Sequence, residues 1–114
     1  MKRIAMMTTL AFSLASTGLM AAQADMTDQM HKDYAASMSG MSDAMHKGVM
    51  SKDPDVAFAA GMGAHHAGAV EMAKVELKYG KDPEMRRLAE GIIKSQEAEM
   101  EQMKAWLAAH PDKP

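Results

Sequence analysis

The sequence predicts an all-α protein: an antiparallel helical hairpin preceded by a methionine-rich N-terminal helix, together a ferritin-like bundle that a second subunit is able to complete. Three observations carry the helical class. Apolar residues recur three and four positions apart. Two Asp-Pro pairs, Asp53-Pro54 and Asp82-Pro83, each give a capping residue followed by a proline at the first helical position. No stretch alternates apolar and polar residues or gathers β-branched and aromatic ones, so no strand is expected.

The first element reads as a leader. Lys2 and Arg3 precede an uncharged run from Ile4 to Ala22, and Ala22-Gln23-Ala24 offers the small residues at which a signal peptidase cuts. Residues 1–24 are therefore expected to be a signal peptide cleaved after Ala24. The product would be periplasmic or secreted. No later apolar run is long enough to span a bilayer, so no stable membrane insertion is expected after cleavage.

The remaining 90 residues carry 15 acids against 11 lysines and arginines, a formal charge of −4. With no basic run, nucleic acid is not an expected partner. Cysteine is absent, which excludes disulfide staples and thiolate ligands. Methionine is the anomaly: 11 residues, against 10 for leucine, isoleucine, valine and phenylalanine together. A flexible thioether specifies a core poorly, so a role beyond packing is indicated.

Residues 25–52 form the first helical segment, from about Met26 to Met50. Met30, Tyr34, Met38, Met41, Met45 and Val49 share one face of it. Ser37, Ser39, Gly40 and Ser42 weaken its middle, where a kink or loose end is expected. Asp28-Gln-Met30-His31-Lys32 recurs 15 residues later as Asp43-Ala-Met45-His46-Lys47. Residues 53–110 form the hairpin. Its first helix stops at Gly80 and its second ends before Pro111, which opens a short tail, residues 111–114. The turn between them is too short for anything but antiparallel packing.

The stretch GMGAHHAG, residues 61–68, puts glycines and adjacent histidines inside the first hairpin helix. At 100° per residue, with Met62 at zero, His66 lies at about 40°, His65 at about 300°, Met72 at about 280° and Glu76 at about 320°. The histidines thus bracket Met62 on an arc expected to face the bundle. Gln96 and Glu99 interrupt the apolar face of the last helix, which also carries Met100, Met103 and Trp106. Glu76, Gln96 and Glu99 are candidates to orient the imidazoles. Thioether sulfur suits Cu(I), and imidazole suits either copper oxidation state. Structural zinc favours thiolates, and a di-iron centre needs Glu-x-x-His pairs that the chain lacks. A methionine stripe also serves as plain core, and the glycines as points of close helix approach.

Met62-Gly-Ala-His65-His66-Ala-Gly-Ala69-Val-Glu-Met72-Ala73, followed by Gln96-x-x-Glu99-x-x-x-Met103-x-x-Trp106-Leu107, resembles a family of exported bacterial proteins catalogued as a domain of unknown function. That family includes the CopM-type periplasmic copper-binding proteins. The likeness covers about Asp55 to Ala109 and implies a ferritin-like helical fold that binds copper through methionine and histidine. Residue by residue it points to Met62, His65, His66 and Met72, then Met103. Met30, His31, Met41, Met45, His46 and Met100 are secondary candidates on chemistry alone.

The expected function is copper sequestration or delivery, Cu(I) favoured, with other copper-handling proteins as partners and a homodimer as a way to complete the site. The alternative is a metal-free interaction or structural module with a methionine-rich core. No nucleophile–base pair or paired acids marks an enzyme.

Overall fold

A computed structural model describes residues 13–111, which fold into three helices and no strand: α1 (Ser13–Gly48), α2 (Pro54–Tyr79) and α3 (Pro83–Ala109). Lys2, Arg3 and much of the leader's apolar run lie outside the described residues, as do the last three residues of the tail. No described helix is long and apolar enough to cross a membrane.

The hairpin caps form as the sequence predicts. Asp53 Oδ1 accepts from the backbone N–H of Asp55 at 2.9 Å and of Val56 at 3.3 Å. Asp82 Oδ1 repeats this with Glu84 and Met85 at 2.9 and 3.0 Å. These bonds satisfy donors that the first helical turn leaves free, each cap contributing about 1 kcal/mol. Between the helices, Arg86 donates from Nη1 to the carbonyls of Leu77 and Gly80, both at 2.9 Å, and so ties the turn to the end of α2. At the far end His110 caps α3, its Nδ1 2.8 Å from the Trp106 carbonyl oxygen and its ring stacked on the indole.

Two expectations for the first helix are corrected. It starts by Ser13 rather than near Met26, running without a break through the predicted cleavage site. The alanines and Gln23 there are good helix formers, and neither glycine nor proline stands between Ala21 and Asp28. The middle is not kinked either. Ser37 Oγ donates to the Tyr34 carbonyl at 2.7 Å, a bond compatible with continued helix, and Ser39, Gly40 and Ser42 sit exposed.

α2 occupies the centre. It packs against α1 and against α3, whereas α1 and α3 do not pack on each other. The three form a single layer. Gly61 and Gly68 face α1, and a Cβ at either would collide: with Val49 Cγ1 at 2.7 Å and with Met41 Sδ at 2.5 Å. Gly48 of α1 meets backbone rather than a side chain, its Cβ position 2.8 Å from the carbonyl carbon of Ala60. The glycines thus let two helix backbones approach, while Gly63 faces open space. On the opposite side of α2, Ala59, His66, Val70 and Ala73 are buried towards α3, which contributes Ala89. Asp33 fixes the α1 register by accepting from Lys78 Nζ and from the Tyr79 hydroxyl, each at 2.8 Å. Hydrogen bonds from Lys78, Gln29 and Tyr79 hold the Asp33 carboxyl down at about 2.

Candidate metal centre

Between α2 and α3 an open cavity of about 580 Å³ is lined by Phe58, Met62 and His66 of α2 and by Glu99, Met103 and Trp106 of α3, with Asp55 and Gln102 at its edge. Antiparallel packing produces it. The second turn of α2 lies beside the last turns of α3, so Met62 and Met103 meet although 41 positions separate them in the chain.

His66 is the polar anchor. Its side chain is buried, and Nε2 is hydrogen-bonded to Glu99 Oε2. An ionised carboxylate only accepts, so Nε2 carries the proton, and in a neutral ring the lone pair is then at Nδ1. That Nδ1 is buried and has no hydrogen-bond partner. A buried acceptor without a partner costs about 1–3 kcal/mol, so its retention calls for an explanation. Gln96 Oε1, on the same helix as Glu99, is also buried and unpartnered.

The donor set fits a soft metal better than a hard one. Among the described residues no group of three or more His, Cys, Asp or Glu side chains could hold an ion. Any site here must therefore recruit thioethers, and Met62 and Met103 are the ones that share a cavity with His66. A carboxylate-bound imidazole with its other nitrogen free is the usual arrangement for a metal-ligating histidine, because the carboxylate fixes the tautomer and the ring orientation.

The other candidates fall elsewhere. His65 is exposed, its ring 6.1 Å from that of His66 and turned 63° from it. Adjacent positions differ by about 100°, and α3 covers the side that includes His66 while leaving His65 uncovered. Met72 is likewise exposed, on the same open strip of α2. Glu76 lies beside Tyr34 of α1 rather than near His66. Burial, then the Glu76 charge and its hydrogen bond, push the Tyr34 phenol up. Met100 lines a second cavity with Met103, on the other side of the α2–α3 seam. On α1, Met30, Met41 and Met45 are half-buried, and His31 and His46 are exposed. Met41 packs over Gly68 as core. Phe58, which carries no donor atom, is a wall of the cavity.

The chain belongs to the family described as Domain of unknown function (DUF305), which it matches over residues 1–110. The match takes in α1, well beyond the stretch from Asp55 that carries the sequence motif, so the methionine-rich first helix is part of the family's domain. No curated protein matches the chain.

Proposed function

We propose that this is a periplasmic copper-binding protein that sequesters or delivers Cu(I), and takes Cu(II) also, through methionine and histidine ligands. The observation that supports it is the buried His66, bonded to Glu99 through Nε2 and without a partner at Nδ1, beside a cavity that it lines together with Met62 and Met103. His66, Met62 and Met103 would hold the ion, with Glu99 fixing the imidazole. His65 and Met72, on the same side of α2 as the cavity, would be further donors. Thioethers favour Cu(I) over Cu(II), and the lack of thiolates keeps affinity at a level that allows transfer. An export signal cleaved after Ala24, kinship with the CopM-type proteins and a ferritin-like arrangement belong to the same proposal. Catalysis is not part of the proposal.

Anaerobic titration of Cu(I) against a chromophoric chelator tests it. Glu99→Gln is expected to lower affinity by about 10–100-fold, and His66→Ala by more. His66→Ala and Met62→Leu variants that compete as well as the unaltered protein overturn the assignment. The metal-free alternative, an interaction module, draws on the exposed Phe58, Met38 and Leu88. It predicts a melting temperature that copper does not move, whereas an ion bound only by the folded state must raise it.

A further inference from the structure

Because α1 and α3 lie on opposite sides of α2, the layer has two broad faces, and they differ in chemistry. On one, Phe58, Met62, His65, Ala69, Met72 and Glu76 run along α2 at alternating spacings of four and three. On α3, Met85, Leu88, Ile92, Glu99 and Trp106 follow the same seven-residue repeat. Tyr34, set beside Glu76, marks this side of α1, and Met38 and Val49 lie within about 60° of it on the helix. Phe58 is 65% exposed, Leu88 54%, Met38 53% and Val49 51%. The opposite face carries the ion pairs Lys74–Glu71, Lys78–Asp33 and Lys104–Glu101; one of its cavities is lined by Asp33, Glu71, Lys74 and Lys78, the other by Glu97, Glu101 and Lys104 together with Met100, Met103 and Leu107.

We propose that a second copy of this chain covers the apolar face, layer against layer. The seven-residue repeat is the pattern of helices that interdigitate with partner helices, and here it sits where the chain itself supplies none. Helices of 26 and 27 residues are about 39 Å long, and three at about 9 Å spacing present roughly 1,000 Å². A stable interface needs about 800 Å² from each partner. The 12.3 kDa chain exposes 9413 Å², against about 6,100 Å² for a monomeric protein of that mass. A single layer of helices leaves the start of α1 and both broad faces uncovered.

Charge selects the occupant. A two-fold contact sets a surface against itself, so it tolerates little unpaired charge of one sign. The central acids of this face, Glu76 and Glu99, each already hydrogen-bond a side chain, Tyr34 and His66, and Asp55 lies at its end. Nothing on it is basic enough to select an anionic partner or a lipid headgroup.

Sedimentation equilibrium in the presence of a chelator, so that metal plays no part, is the test. The expected mass is twice 12.3 kDa, less any leader that has been removed. Phe58→Glu with Leu88→Glu should weaken the dimer by at least about thirtyfold, the equivalent of about 2 kcal/mol. Exchanging the charges of Glu71 and Lys74 on the other face should not. Since no cysteine is present among the described residues, Met72→Cys and Lys74→Cys give a second measurement that needs no charged variant to fold. A thiol-alkylating probe should label Met72→Cys more slowly in the dimer than after dilution to monomer, and Lys74→Cys equally in both. A monomer throughout, a dimer indifferent to Phe58 and Leu88, or labelling at Met72→Cys that dilution does not change overturns the proposal. So does a monomer that co-sediments with phosphatidylcholine vesicles, which would assign the face to lipid.

Discussion

α2 has two seams built of opposite materials. Towards α1 it presents the absence of side chains: Gly61 and Gly68, met by Gly48, let the helices close until a single Cβ would collide. Towards α3 it presents an imidazole with an unused lone pair, set among thioethers and a carboxylate. The first seam is fixed by shape and by the Asp33 cluster. The second retains an uncompensated polar atom in a place where alanine or leucine would pack without penalty. Close backbone approach therefore belongs to one side of α2 and chemistry to the other.

That division can be broken, starting from the seam of small residues. Gly48→Ala should cost about 1–3 kcal/mol, because the colliding atoms belong to the Ala60 backbone and cannot rotate away. A fall in melting temperature measures it, and no fall would mean the helices are less close than described. Gly63→Ala, with nothing within 4 Å of the new Cβ, should raise stability by about 1 kcal/mol from helix propensity alone. Opposite signs for two glycines of one sequence neighbourhood are the sharpest expression of the contrast.

The effect of Asp33→Asn is smaller and depends on pH. The folded carboxyl sits at about 2 against its usual 3.8, so its ionised form is the one the fold stabilises. The contribution is complete above pH 3.8 and is lost as pH falls through about 2. Denaturation curves of the variant and the unaltered protein should differ at neutral pH and converge in strong acid. Divergence that grows on acidification would contradict the cluster. The smallest change in folding belongs to the other seam. His66→Leu removes both the orphaned nitrogen and its exposed partner's bond, so metal-free stability should move by less than about 1 kcal/mol. The copper-induced rise in melting temperature should disappear entirely. If the apoprotein unfolds instead, His66 is a structural residue.

Much of the architecture was legible in the residues themselves. Asp53-Pro54, Gly80, Asp82-Pro83 and Pro111 delimit α2 and α3 because caps and prolines act locally, within one turn. The start of α1 was not, since a cleavage site and a helix use the same small residues, and Ala22-Gln23-Ala24 satisfies both. For the site, Met62, His66, Glu99 and Met103 were all named from spacing, but the separation of His65 from His66 was hidden. Helical periodicity gives the angle between two side chains and not the direction from which a neighbouring helix arrives. For the same reason the sequence does not distinguish Gly63 from Gly61 and Gly68. The difference is made by Val49 and Met41, which approach from another helix.

The long overhang of α1 has a consequence for maturation. Inter-helix hydrogen bonding by α1 begins at Asp33, and every residue from Ser16 to Gln29 is exposed. A peptidase cutting after Ala24 would therefore sever a helix without breaking into the packed layer. If the proposed export signal is cut there, trimming and folding need no fixed order. A chain beginning at Asp25 should melt within a few degrees of the intact one, the shift expected for less than about 1 kcal/mol.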